Sequence, residues 1–402
     1  MIHNNTTFII AVGTLAGSFF QTANAQAYIH EQESDAPSFE EIWSLAKLYQ
    51  DDQNPWLQEF KLRGRYHGQY HDVHADSGDS DGWEDRRARL GFDAKLFDKK
   101  LEARLDFQSN DGFVDGYDGL VDAYLKWKPK KGLTIVAGKI KPLIGAYDWL
   151  SSSNDTPTFE RSQIFNQLGI NRATGVTVEG LFESYTWQAG VYSNSTPSNT
   201  GGTGNWGDGE WGDLDGGTSY TLGIGHEIEG LPHGQKASFR LDWLHSEREE
   251  GDLVLSRYDD IFSATFLWNK DAWHVVAEAY AARGGDGLND DVYGIFIQPT
   301  YDLLPNQLQL VARYSYTHGE GNASVVAQSR YEREVGIDAI PGIPGSSNRG
   351  DEYHSVYLGT QYFIYGNQWK WQAGVEWSQL LRDGNSTGYE GISALTGIRI
   401  SF

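Results

Sequence analysis

From Phe60 onward the chain alternates between two kinds of residue. In FKLRGRYHGQYHDVH, the positions Phe60, Leu62, Gly64, Tyr66, Gly68 and Tyr70 are apolar or aromatic, and the positions between them, Lys61, Arg63, Arg65, His67, Gln69 and His71, are basic or polar. A period of two belongs to a strand whose faces meet different surroundings. The pattern predicts about sixteen strands: 60–71, 85–97, 100–108, 120–128, 133–141, 173–182, 185–192, 219–227, 236–244, 261–268, 272–281, 292–301, 307–316, 354–365, 368–377 and 391–402. Upstream, PSFEEIWSLAKLYQDDQNPW sets Phe39, Ile42, Trp43, Leu45, Ala46 and Tyr49 at helical spacing, which predicts one short amphipathic helix closed by Asn54-Pro55.

The connections between strands alternate in length. HDVHADSGDSDGWE is followed by FDKK, SNDGFVDGYDG by KPKKG, and the long Pro142 to Arg172 segment by FESY; the rest of the chain continues in the same way. A transmembrane antiparallel β-barrel with short periplasmic turns and long extracellular loops predicts this alternation, with both ends of the barrel chain periplasmic. The fold class is therefore all-β. In KKLEARLDFQ the lipid-facing set is Leu101, Ala103, Leu105 and Phe107; in QWKWQAGVEW it is Trp369, Trp371, Ala373, Val375 and Trp377. Tyr185, Trp187, Trp243, Trp268, Trp273, Tyr314, Tyr316 and Trp377 fall near strand ends, where membrane-interface belts would hold them.

Composition sharpens the picture at three points. The mean hydropathy is -0.52 and no stretch of 18 apolar residues follows the N-terminus, which excludes a helical membrane bundle but not a barrel. The absence of Cys removes disulfides, thiolate metal sites and Cys nucleophiles. The formal charge of -23 argues against nucleic acid as a partner, because a phosphate backbone needs a basic face. FIIAVGTLAGSFF followed by Ala23-Asn24-Ala25 predicts a signal peptide over 1–25, although MIHNNTT lacks the usual Lys or Arg. The expected layout is then a periplasmic N-terminal segment with its short helix over 26–59 and a barrel over 60–402.

Much of the acid sits in connections: Asp76, Asp79, Asp81 and Glu84; Asp111, Asp115 and Asp118; Asp208, Glu210, Asp213 and Asp215; Glu247, Glu249, Glu250 and Asp252; Asp286, Asp290 and Asp291. This predicts an acidic outer rim, read as a solvated surface before any divalent-cation site, because GDSDGWED lacks the fixed offsets of a calcium loop. No cofactor and no metal site are expected. The motifs of Ser, zinc and P-loop enzymes are absent.

WEDRRARLGFDAKLFDKKLEARLDFQ, GLTIVAGKIKP, TFERSQIFNQLGINRATGVTVEG, WQAGVYSN and QLQLVARYSY together resemble the phosphate-selective porin O and P family, over roughly Phe60 to Phe402. GISALTGIRISF, ending on Phe402, resembles the terminal signal by which outer-membrane barrels are assembled. The family resemblance implies a sixteen-stranded outer-membrane porin, usually a homotrimer, whose third outer loop enters the lumen and whose members pass phosphate, polyphosphate or other anions.

A pore selects by the charges at its constriction. Strand parity proposes an inward anion path of Lys61, Arg63, Arg65, Arg87, Arg89, Lys95, Arg104, Lys126, Lys139 and Lys141, with Lys128 beside them. Arg suits an oxyanion because its planar fork donates two hydrogen bonds. Arg161 and Arg172 are constriction candidates in the loop that the resemblance places inside. Asp85, Asp93, Glu102, Asp106 and Asp122 share the inward parity, so a mixed, weakly selective lumen for sugars or other solutes stands as the alternative. A secreted carbohydrate-binding β protein is the rival of another class. The expected partners are small anionic solutes, outer-membrane lipid and lipopolysaccharide.

Overall fold

The computed structural model describes residues 37–109, 116–193, 217–247, 255–327, 330–383 and 386–402. The expected signal segment lies outside them. Sixteen antiparallel strands form one sheet that closes on itself where the last, β16 (Ser386–Ser401), pairs with the first, β1 (Leu57–Ala75). In chain order between them come β2 (Gly78–Leu96), β3 (Leu101–Ser109), β4 (Gly119–Lys130), β5 (Leu133–Ile140), β6 (Ala173–Phe182), β7 (Tyr185–Ser193) and β8 (Thr218–Ile228). The circuit continues through β9 (Lys236–Ser246), β10 (Asp260–Lys270), β11 (Trp273–Arg283), β12 (Val292–Leu304), β13 (Leu308–Gly319), β14 (Glu352–Tyr365) and β15 (Trp369–Arg382). Closure leaves no lateral edge to the sheet as a whole.

The two faces follow the predicted parity. Along β15, Lys370 and Gln372 are fully buried on the inside while Trp371 and Val375 are 38% and 47% exposed on the outside. This inverts a soluble protein: apolar side chains face outward and the packed interior is mixed. One inward glycine is required by close approach. Gly138 of β5 has φ 136°, and a Cβ there would lie 2.2 Å from the Ala123 carbonyl oxygen. Gly138→Ala should cost roughly 1–3 kcal/mol, read as a lower urea midpoint for loss of the folded gel band.

The short turns lie where expected, but two of the expected long loops are tight. β1 and β2 each run 19 residues and meet across Asp76 and Ser77, because alternation continues through HDVHA: Val73 is buried inside while His74 is exposed. Likewise β15 and β16 extend to 382 and from 386, absorbing most of LLRDGNSTGYE. The length of the outer connections is concentrated instead at 141–172, 194–217, 247–259 and 320–351. Asp76, Asp79, Asp81, Asp118, Glu247, Asp286 and Asp290 are exposed on the outer side. Asp111, Asp115, Asp208, Glu210, Asp213, Asp215, Glu249, Glu250 and Asp252 fall outside the described residues. Glu84 corrects the expected rim: it is buried inside the barrel and accepts a hydrogen bond from the Tyr331 hydroxyl.

The N-terminal helix is shorter than its spacing predicts. It forms α1 (Pro37–Ser44), after which Lys47–Gln50 becomes a strand paired with Glu59–Lys61 of β1. The reason is an open edge. The terminal residue of β16's run, Phe402, reaches only Gly64, so the periplasmic end of β1 still has backbone groups to satisfy, and Leu62 N–H donates to Ala46 O at 2.8 Å.

Candidate functional site: the lumen constriction

Loop 141–172 runs inside the barrel. β5 stops at Ile140, and Pro142, which has no N–H to extend the ladder, turns the chain inward. The loop's backbone groups then need partners away from water, and wall side chains supply them. Tyr147 and Asp148 N–H each donate to Glu278 carboxylate oxygens at 3.0 Å. Gln372 Nε2 donates to the carbonyls of Thr156 and Pro157, both at 3.1 Å. The Arg399 guanidinium donates to the carbonyls of Ser153, Thr158 and Phe159 at 2.5, 3.1 and 2.9 Å. Gly145, with φ 64°, lets the backbone pass where a Cβ would sit 2.2 Å from the Tyr280 hydroxyl.

The loop's apolar residues fill one side of the lumen. Leu143, Ile144, Trp149 and Leu150 pack with Ile164, Phe165 and Leu168 of the short helix α2 (Gln163–Leu168) against Tyr192, Leu244, Ile261, Tyr280 and Val292 of the wall. Each fully buried side chain of this size is worth roughly 1.5–3 kcal/mol. Ser162 caps α2 by accepting from Phe165 N–H, and Gly169 ends it in the left-handed region. The connection 320–351 also turns inward: Tyr331 of α3 (Arg330–Glu334) stacks on His71 with ring centroids 4.2 Å apart.

The opposite side stays open. There, between the inserted loop and β1–β5, lies a cavity of about 360 Å³ whose lining includes ten basic side chains and three acidic ones, Asp106, Asp122 and Asp155. Eight of the ten bases are sequence-proposed path residues: Lys61, Arg63, Arg65, Arg87, Arg89, Arg104, Lys126 and Lys141. The other two are Arg161 and Arg172, the proposed constriction pair. Lys95 and Lys139 are not in the lining. Lys95 sits lower on β2, held by Glu59 at 3.1 Å. Lys139 pairs with Ala123, not with the inward Tyr124, so alternation turns it to the outer face, where it is 4% exposed. Its presumed partner in parity, Lys141, lies past the end of the strand and no longer follows the alternation.

The bases are held in three ways. Toward the periplasm, carboxylates balance them: Arg63 contacts Asp93 at 2.9 Å and Asp106 at 3.1 Å, Arg104 contacts Asp93 at 2.8 Å, and Lys128 contacts Glu102 at 2.7 Å. At the loop, one aromatic ring gathers three cations. Lys141 Nζ lies 4.8 Å from the Trp149 ring centroid, with the Arg161 and Arg172 guanidinium carbons at 5.4 and 5.7 Å. Lys141 also donates to the carbonyls of Trp149 and Ser151, Arg161 to that of Asp148, and Arg172 is paired with Asp122 at 2.5 Å. Between these levels, neutral groups serve. Arg65 donates to Ser152 and Ser153, both at 3.0 Å, and Arg89 to Gln108 at 3.0 Å. Arg87 makes no hydrogen bond or ion pair among the described residues.

Sequence parity misses one of the nearest bases. Opposite Gly68 the register slips between His67–Arg87 and Gln69–Glu84, so β2 carries a bulge at Asp85 and Arg86. Asp85 therefore faces out, bonded to the Tyr66 hydroxyl and to Trp83 Nε1, which corrects its inward assignment. Arg86 faces in beside Arg87 and grips Glu160 with two hydrogen bonds, at 2.7 and 3.1 Å. Burial alone would push the Glu160 carboxyl up, but attraction and hydrogen bonding from Arg86, with Arg87 and Arg399 behind it, hold it down at about 2. Glu160 thus anchors the loop as an ionised group. Arg313, Lys370 and Arg399, also missed, are inward bases of later strands spent on fastening loops and walls.

A family model described as phosphate-selective porin O and P matches residues 60–380. No curated protein matches the sequence. Among solved structures, the chain is similar to OprB of Pseudomonas putida at high pH, with a TM-score of 0.59 and 12% identity over 85% of this chain and 94% of that one. It is similar to OmpF of Salmonella typhi in complex with daunomycin, with a TM-score of 0.56 and 15% identity over 89% and 100% of the two chains. Outer-membrane expressed OmpT of Vibrio cholerae gives a TM-score of 0.52 and 12% identity over 86% and 98%. At these identities the likeness concerns the fold.

Proposed function

The chain belongs to the phosphate-selective porin O and P family, and from that membership and its lumen we propose that this outer-membrane porin conducts small anions, phosphate or polyphosphate among them, in preference to cations. The observation that carries the reading is the excess of base over acid around the 360 Å³ cavity beside the inserted loop. A solute there meets guanidinium and ammonium groups from β1, β2, β3, β4 and the loop, with Arg65 held by two serine hydroxyls and Lys141 by backbone carbonyls and the Trp149 ring. Arg adds two-point hydrogen bonding to an oxyanion. Overall acidity does not oppose this, because charges more than about 10 Å away are largely screened at 0.1 M salt.

The runner-up is a weakly selective pore, favoured by the compensated Arg63–Asp93–Arg104 group nearer the periplasm. Reversal potentials separate the two. Purified protein in a planar bilayer under a tenfold salt gradient should give a potential of anion sign; a potential near zero would favour the weak pore, and one of cation sign would end the proposal. The homotrimer and the lipopolysaccharide contact expected of the family belong to the same proposal.

A further inference from the structure

Helix α1 lies against the outside of the barrel. Phe39 and Trp43 pack on Tyr365 and Trp369 with ring centroids 5.1–6.2 Å apart, and Trp369 is on the outward face of β15, opposite in parity to the buried Lys370. Two further contacts fix the helix there. Trp43 Nε1 donates to Ser401 O at 2.6 Å, and the strand Lys47–Gln50 that follows is paired to β1. The helix is therefore clamped at the periplasmic rim, next to the turn that joins β14 and β15.

Its remaining faces divide cleanly. At 100° per residue, Glu40, Glu41 and Ser44 form one arc; Phe39 and Trp43 form the arc on the barrel; Ile42 and Leu45 form a third arc beside it. Ile42 and Leu45 are 56% and 75% exposed, and Leu48 beyond them is 54% exposed. Trp369, on which the helix sits, belongs to the outward apolar parity of β15, with the exposed Trp371 and Val375 further along the strand. An amphipathic helix with one apolar flank, set at the end of a lipid-facing band and built on Trp and Tyr, has the makings of an interfacial helix.

We propose that α1 is a membrane-interface element, with Ile42 and Leu45 seated at the headgroup and acyl boundary of the periplasmic leaflet and Glu40 in water. The inference rests on the outer-membrane barrel reading. Its consequence is that the N-terminal segment holds the β1–β16 seam from the lipid side.

The chain's lack of Cys makes the test direct, since a single introduced Cys carries the only label. Ile42→Cys, Leu45→Cys, Glu40→Cys and Val375→Cys, each spin-labelled in phosphatidylethanolamine and phosphatidylglycerol vesicles, are compared for collision with oxygen and with a water-soluble nickel chelate. The oxygen-to-nickel ratio at positions 42 and 45 should be severalfold that at 40 and approach that at 375. If 375 reads as lipid while 42 and 45 read like 40, the inference fails and the barrel reading stands. Should 42 and 45 be shielded from both reagents, protein covers the helix and a second copy of the chain replaces lipid as its partner. If 375 itself reads as water, the barrel reading falls and the inference falls with it.

Discussion

Glutamine at both Arg87 and Arg89 should lower the anion-to-cation permeability ratio about tenfold, equivalent to about 1.4 kcal/mol of lost anion stabilisation. The size follows from Coulomb's law. A unit charge about 4 Å from an ion contributes about 1 kcal/mol where water dominates and about 4 kcal/mol near protein, so losing two such charges from a screened lumen removes an amount of this order. The two sites are chosen because they are successive inward positions of β2 and both line the cavity. Arg87 has no ion-pair or hydrogen-bond partner among the described residues, and Arg89 donates to Gln108, with which a glutamine can also bond. The folded gel band should persist while the reversal potential shifts toward zero. An unchanged potential would place the selective charges elsewhere, with Arg161 and Arg172 the next to test.

A second large effect is expected at Arg399, which is 2% exposed and donates to the carbonyls of Ser153, Thr158 and Phe159 and to Thr156 Oγ1. Methionine has similar length and no donors. Arg399→Met would leave those loop oxygens without their donor, at a cost of roughly 1–3 kcal/mol for each one that stays dry. Because the same residues form the segment that narrows the lumen, the loss should appear first as function. Single-channel conductance should rise and become noisy, while far-ultraviolet circular dichroism keeps its strand signal. Steps of wild-type size and steadiness would show that Gln372, Arg313 and Glu278 hold the loop without Arg399.

The alternation of FKLRGRYHGQYH and its fellows was enough to predict sixteen strands and to separate lumen from lipid, because a barrel wall exposes every strand to the same two environments. For the same reason seven of the ten path residues proposed from parity line the cavity from the wall, while Lys141 reaches it from the inserted loop. Failures occur where parity stops governing position. A two-for-one bulge turned Asp85 out and Arg86 in. The end of β5 at Ile140 separated Lys139 from Lys141. Which acid meets which base depends on register between strands, so the compensation of Arg63 and Arg104 by Asp93 was open until the pairing was known. Trp149 as a seat for three cations depends on a loop that has no period at all. The inward bases of later strands, Arg313 and Arg399, carried the same alternating signal as the early ones but turned out to bond the loop.

The tall first hairpin has a further consequence. Below the bulge β1 and β2 pair as His67 with Arg87, and above it as Gln69 with Glu84, so that Asp85 and Arg86 together stand opposite Gly68. Because side chains alternate between the faces, a slip of one residue would turn Arg87 and Arg89 toward lipid and bring Leu90 and Phe92, which lie 60% and 36% exposed on the outer face, into the lumen. The irregularity that brings a second arginine into the lumen thus also pins the hairpin against sliding.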